Sequence, residues 1–357
     1  MEQKYSYLVC TRCFTYNHEA YILDALSGFV AQKTSFPVLY TIVDDASTDN
    51  EPQILRDFFF DNFDTRNSGV AYQEETDYGT ILYAQHKENK NCFFALLLLR
   101  ENHKSQNKRK IQYLTRWIDN VKYIALCEGD DYWTDPLKLQ KQVDILEQNE
   151  EVTLCCTACD IKTDDCFSTQ RRYKKERVVP PIDIIKKGGL WLHTVTYVYR
   201  SSLMDNYPSY CRSCHVGDFP RLLWSSLNGS VYYLPDVTAV YRYQSSGSWT
   251  SKRESLGIDR LIAGWRSEVN MLEGLDQYSE GKYSNSFNAR IRSYVYDAII
   301  NHKADVKKIA EAFREEIKKL FDRKQRMHVW ALRMHLGSAY EFLLRKDQSR
   351  RNKIHKK

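Results

Sequence analysis

The sequence predicts an α/β protein: a mostly parallel central sheet flanked by helices, followed by a helical C-terminal extension. Three observations carry this. Residues 5–13 form a short apolar run that passes through Phe14-Thr15-Tyr16-Asn17-His18 into 19–29, where Ile22, Leu23, Leu26 and Phe29 have helical spacing; this is the opening of a βαβ unit. Two later strand-like runs, 38–43 and 123–127, stop abruptly at carboxylates, and in an open parallel sheet both ends would share the edge where ligands bind. From Arg253 onward the periodicity is helical, with Val306, Ile309, Phe313, Ile317 and Leu320 on one stripe and Trp330, Met334, Phe342 and Leu343 on a second face.

The intervening elements follow in order. A helix is expected over 54–60, then an irregular segment over 61–91 with one strand near 80–84, and a strand or short helix over 93–100. The polar, basic run ENHKSQNKRK at 101–110 leads into a helix over 111–118. Thr134-Asp135-Pro136 is a helix-start signal for 136–148, with Leu139, Val143 and Leu146 on one face. A strand at 152–158, a basic surface loop at 166–177 and a short helix at 182–187 ended by Gly188-Gly189 come next. Then come a strand at 194–199, an apolar helix at 221–227, and strands at 231–234 and 239–243. The 244–250 segment, with its glycine, small hydroxyls and Trp249, suits closure over a ligand.

With 357 residues and 43% hydrophobic content, one large domain plus an appendage is the natural count, divided here into 1–250 and 251–357. The net charge of +6 is uneven: residues 251–357 hold 24 Lys and Arg against 14 Asp and Glu, which leaves the body acidic. A basic helical tail offers faces for a second copy of the chain or for an anionic membrane surface. No base-reading motif accompanies these charges, so nucleic acid is not expected. No run approaches the ~20 apolar residues of a membrane span, and 5–10 is too short for a signal-peptide core, so the expected location is cytoplasmic, with the inner face of the cell membrane as the alternative site. Three CxxC pairs occur among the ten cysteines; Cys156, Cys159, Cys211 and Cys214 could make a zinc site, but their strand-like settings favour reduced, partly buried thiols.

The chemistry concentrates at YIALCEGDDYW, residues 123–133. Three carboxylates in four positions, Glu128, Asp130 and Asp131, repel one another unless a cation, a proton or donors offset them. Their hard oxygens are the kind that Mg²⁺ or Mn²⁺ takes, leaving room for water or substrate phosphate. A second acidic point, Asp218 in His215-Val216-Gly217-Asp218, precedes an apolar helix.

Four segments in this order resemble family 2 of the inverting nucleotide-sugar glycosyltransferases: CFTYNHEAYI, IVDDASTDN, CEGDDYW and VGDFPRLLW. The resemblance spans roughly residues 5–250 and implies a GT-A fold with a Rossmann-like sheet. It implies that Thr15, Tyr16, Asn17, Asp44, Asp45, Glu128 and Gly129 meet the nucleotide, that Asp130, with Asp131 beside it, holds the metal, and that Asp218 is the catalytic base. Trp191, His193, Thr194, Arg242, Gln244 and Trp249 fall where similar enzymes shape the donor and acceptor pocket. Glu128 departs from the usual aspartate, Ala46 stands for a glycine, and Gln244 for a histidine often found in the closing loop.

The implied activity is metal-dependent transfer, with inversion, from a nucleotide sugar, a UDP-sugar first, to a saccharide or lipid-linked saccharide in bacterial surface polysaccharide synthesis (capsule or O-antigen). The alternative is a nucleotide-sugar or carbohydrate binding protein without turnover, from which donor hydrolysis would discriminate.

Overall fold

The computed structural model describes residues 6–106, 108–163, 166–243 and 256–337. They divide into two compact units: a sheet unit of 6–184, 189–207 and 221–243, and a helical unit of 185–188, 208–220 and 256–337.

The sheet unit opens as the sequence predicts, with β1 (Val9–Thr15), α1 (Ile22–Val30), β2 (Val38–Asp44) and α2 (Glu51–Asn62). Every residue of β2 is buried, the signature of a parallel strand covered on both faces. The segment expected to be irregular is ordered instead: β3 (Ala71–Glu75) and β4 (Gly79–Gln85) form an antiparallel hairpin that pairs with β5 (Cys92–Leu99). Alternation of polar and apolar residues in β4 is diluted by tyrosines whose rings pack on one another, Tyr72 on Tyr83 at 4.8 Å, which hides the period-two pattern. Pairing with β2 makes β5 a strand rather than a helix.

Beyond it lie α3 (Thr115–Ile118), β6 (Tyr123–Leu126), β7 (Tyr132–Trp133) and α4 (Lys138–Gln148). β8 (Val152–Lys162), β9 (Phe167–Gln170), β10 (Arg177–Val179), α5 (Pro181–Lys187) and β11 (Val198–Arg200) follow, so the basic loop expected over 166–177 contains a strand paired with β8. After α6 (Ser209–Arg212) and α7 (Asp218–Leu227), the two strands expected near 231–243 are one, β12 (Ser230–Arg242), whose register shifts at Leu234 and Val237 where Pro235 interrupts the apolar run.

Among the described residues the sheet has twelve strands, in the order β10-β12-β8-β11-β6-β1-β2-β5-β4-β3, with β7 on β12 and β9 on β8. Strands β6, β1, β2 and β5 are mutually parallel and form its centre; β8 and β12 make a second parallel pair, and antiparallel strands complete the sheet. Helices flank it as predicted. On one face Val9, Cys13, Tyr40, Ile42 and Ala125 pack with Phe29, Leu55, Phe59, Leu139 and Val143 from α1, α2 and α4. Phe29 centres this core, 5.1 Å from Tyr40 and 5.0 Å from Trp133. Gly28 permits the approach, since a Cβ there would lie 2.7 Å from the Trp133 carbonyl oxygen.

The helical unit contains α8 (Ile258–Tyr278), α9 (Ser284–Asn301), α10 (Val306–Ala312), α11 (Arg314–Leu320) and α12 (Arg323–Arg333). Trp265, Val269, Leu272, Phe287, Ile291, Val295, Ile309 and Phe313 are buried in it. The single stripe expected from Val306 to Leu320 breaks at Phe313, which leaves the helical region at φ −116° and keeps its ring in the core. A capping box, Asp322 with Gln325, starts α12. Of the second apolar face, Trp330 and Met334 are 58% and 56% exposed while His328, Val329, Ala331 and Leu332 turn inward; Phe342 and Leu343 lie outside the described residues. Among the described residues no helix is long and apolar enough to cross a membrane.

Candidate active site at the carboxyl ends of the central strands

Strand register brings the first three candidate segments together. Thr15 ends β1 beside Asp44 of β2, the Asp45 N–H donates to the Thr15 carbonyl at 3.0 Å, and the Gly129 N–H donates to the Phe14 carbonyl at 3.1 Å. The ends of β6, β1 and β2 therefore form one edge. Because β2 and β6 lie on opposite sides of β1, this is the point at which an open α/β sheet offers a crevice.

Between β1 and β2 the loops are stitched by a residue that the sequence did not single out. Glu51, at the start of α2, is fully buried and accepts from Thr15 Oγ1, from the His18 N–H at 2.9 Å and from Ser47 Oγ at 2.9 Å. Asn17, in the left-handed region at φ 57°, donates its N–H to Ser47 Oγ at 2.9 Å and accepts from the Thr48 N–H at 2.8 Å. Ala46 is held at φ 58°, a conformation that a glycine would take without penalty. Gly129 is sterically required: a Cβ there would lie 2.2 Å from Thr15 Oγ1, so the turn after β6 rests directly on the β1 loop.

The two aspartates at the end of β2 differ. Asp44 is buried, accepts from the Ser47 N–H at 3.3 Å, and has its pKa raised by burial. Asp45 is fully buried and organises the basic segment: it accepts from the His103 N–H at 2.7 Å, the Lys104 N–H at 3.2 Å and Lys110 Nζ at 2.9 Å. Part of the charge in ENHKSQNKRK is thus an internal counter-charge.

At the end of β6 the balance is different. Burial, and next the Asp130 charge, push the Asp131 carboxyl well above the ordinary range; burial also raises Glu128, which Arg12 partly offsets. Asp131 Oδ1 accepts from the Arg242 N–H at 2.8 Å. The Arg242 guanidinium donates to the Asp130 carbonyl at 2.7 Å, bonds Asp24 of α1, and lies 4.5 Å from the Tyr132 ring and 5.0 Å from that of Tyr21. Arg242 thereby braces the turn that carries Asp130.

His193 stacks on Tyr241 at 4.5 Å, and burial, reinforced by Arg172, lowers its pKa to about 4, so it is neutral at pH 7. Trp191 is partly buried, edge-on to Tyr173 at 5.8 Å, and its carbonyl accepts from Arg172 Nε. Thr194 begins a short 3₁₀ turn that leads into β11. Asp218 is the first residue of α7, accepts from the Phe219 N–H at 2.7 Å and belongs to the helical unit. Tyr16 is partly buried in the β1 loop. Gln244 and Trp249 lie outside the described residues. A cavity of about 610 Å³ sits in the helical unit among Glu273, Asp276, Glu280, Glu315 and Glu316, an acidic lining unlike one for phosphates. Among the described residues no group of three or more His, Cys, Asp or Glu is arranged to hold a metal ion by itself.

No family model matches the chain. It is 30% identical over 253 residues to uncharacterized proteins of Mycobacterium bovis and Mycobacterium tuberculosis, an alignment that takes in 66% of this chain and 59% of each relative. The chain thus spans less than two thirds of the length of those proteins. Among solved structures it is similar to a fragment of S. aureus TarS in complex with UDP, with 16% identity, a TM-score of 0.48, and coverage of 93% of this chain and 88% of that one. It is also similar to the mannosyltransferase PcManGT from Pyrobaculum calidifontis in complex with GDP-Man and Mn²⁺, with 13% identity, a TM-score of 0.47, and coverage of 96% and 88%.

Proposed function

We propose that this chain transfers a sugar, with inversion, from a nucleotide sugar to a saccharide or lipid-linked saccharide, in the manner of family 2 glycosyltransferases with a GT-A fold. The observation that carries the reading is the meeting, at one sheet edge, of the Thr15-Tyr16-Asn17 loop, the Asp44-Asp45 pair and the Glu128–Asp131 turn. The first two would take the base and ribose, with UDP the first expectation. Residues 1–250 would be the catalytic domain and 251–357 an extension that meets a second copy or the inner face of the cell membrane.

The carboxylate donors fit a hard divalent cation: Asp130, with Glu128 and Asp131 beside it, gathers hard oxygens at one turn, where burial disfavours the charged forms of Glu128 and Asp131 and a cation would offset that cost. With no complete protein cage among the described residues, the remaining positions would fall to water and phosphate oxygens, the usual habit of Mg²⁺ and Mn²⁺. When bound, such an ion stabilises the charge developing on the diphosphate leaving group. Asp218, from its position in VGDFPRLLW, would accept the proton of the acceptor hydroxyl as that oxygen closes on the anomeric carbon. Trp191, His193, Thr194, Arg242, Gln244 and Trp249 would shape the pocket, Arg242 by holding the Asp130 turn.

A panel of nucleotide sugars with Mn²⁺ tests the reading through release of nucleoside diphosphate. Asp218→Asn is expected to lower transfer by roughly 100-fold or more while nucleotide binding persists. Asp130→Asn is expected to weaken both. Turnover retained by the first variant removes Asp218 from the base role. Absence of donor cleavage by the wild-type chain across the panel would leave a binding protein.

A further inference from the structure

The last described helix, α12, has two apolar sides, and only one of them packs within the helical unit. The inward side holds His328, Val329, Ala331 and Leu332, all buried, and His328 Nδ1 lies 2.6 Å from the Tyr296 hydroxyl of α9. The opposite side holds Met327, Trp330 and Met334, spaced three and four residues apart and each about half exposed. A single exposed apolar side chain is ordinary. Three along about 10 Å of one helix, turned away from its own core, are not explained by packing. Arg323, Arg326 and Arg333 are exposed on this same side: Arg323 precedes Met327 by one turn, and Arg326 and Arg333 flank Trp330 at i−4 and i+3. From Arg323 to Leu336 the sequence contains no Asp or Glu.

We propose that the Met327–Trp330–Met334 face of α12 docks on an anionic lipid bilayer, with the helix lying in the plane of the interface. The apolar side chains would enter the boundary between headgroups and acyl chains, where a tryptophan ring is favoured, while the arginines reach lipid phosphates. Charge complementarity selects this occupant over a second copy of the chain. A two-fold contact through this face would set the same three arginines against each other with no carboxylate on either side to match them. Residues 338–357 add seven Lys and Arg against two Asp and Glu, charge of the sign that an anionic leaflet attracts. Such docking deepens the membrane reading of 251–357 and rests on that reading, not on the chemistry assigned to the sheet unit.

Co-sedimentation of the full chain with vesicles of equal parts phosphatidylcholine and phosphatidylglycerol tests the docking. Trp330→Ala is expected to weaken binding by roughly tenfold or more, Trp330→Phe by less, and Arg323→Gln and Arg333→Gln by about fivefold each. Phe167→Ala, which removes an exposed ring of β9 in the sheet unit, should leave binding unchanged. All of these side chains are exposed, so the variants are expected to melt as the wild type does. Absence of binding by the wild type overturns the docking, as does equal binding by wild type and Trp330→Ala, or equal binding to vesicles of phosphatidylcholine alone. Sedimentation equilibrium without lipid examines the other occupant: a dimer that Trp330→Ala dissociates assigns the face to a second copy and overturns the lipid. Release of nucleoside diphosphate from a nucleotide sugar, measured without vesicles, keeps the two readings apart. Vesicle binding by a chain that cleaves no donor would keep the docking and sink the transferase reading; donor cleavage by a chain that binds no vesicle would do the reverse.

Discussion

The loops after β1 and β2 and the turn after β6 meet at one edge but are built on opposite principles. In the first, a buried carboxylate is surrounded by donors: Thr15, His18 and Ser47 all point at Glu51, and Asn17 and Thr48 close the outside. In the second, three carboxylates crowd within four residues; Arg242 braces Asp131 and the Asp130 carbonyl, and Arg12 partly offsets Glu128. A satisfied network is rigid before any ligand arrives; a crowded one gains most when a cation does. The contrast is that between a preformed cradle and a charge held in waiting.

The largest expected effect comes from removing the hub of the first. Glu51→Ala leaves three buried or half-buried donors unmatched, and is expected to destabilise the protein by about 3 kcal/mol and to weaken UDP binding. Denaturant melts and titration measure this, and a loss below about 1 kcal/mol would make the cradle an accessory rather than a frame.

An intermediate effect belongs to the second. Burial raises the folded-state pKa of Glu128 and Asp131, so the folded state binds more protons than the unfolded one, and stability falls as pH rises from about 4 through the raised folded values. Mn²⁺ is expected to restore stability, more at pH 8 than at pH 5, read as melting temperature across pH with and without the ion. A decline unchanged by Mn²⁺ would separate these carboxylates from any cation.

The smallest effect tests backbone strain within the cradle. Ala46→Gly relieves the φ 58° conformation and is expected to stabilise by about 0.5 kcal/mol, after allowance for the greater freedom of glycine in the unfolded chain. Destabilisation would show that the Ala46 methyl contributes packing that outweighs its strain.

The parallel centre was legible because β1, β2 and β6 are short apolar runs with polar ends. Their pairing needs no long-range information beyond the habit of a βαβ unit. The carboxylate turn was legible for the same reason, since three acids at a strand end stand out locally. Glu51 was not. It reads as an ordinary acid in the first turn of α2, and two of its partners, Thr15 and His18, lie 36 and 33 residues away. Nor was the hold of Asp45 on the basic segment legible, since both its oxygens are engaged by residues 58 to 65 positions distant. The hairpin of β3 and β4 was missed because it is stabilised by tyrosine pairing and by β5, not by its own alternation.

The sequence by itself determined the α/β class, the positions of the acidic strand ends and the basic helical tail, because periodicity and charge act over a few residues. Tertiary structure alone decided which carboxylates are satisfied and which remain crowded. That depends on donors delivered from distant strands, and on the depth at which each group is removed from water.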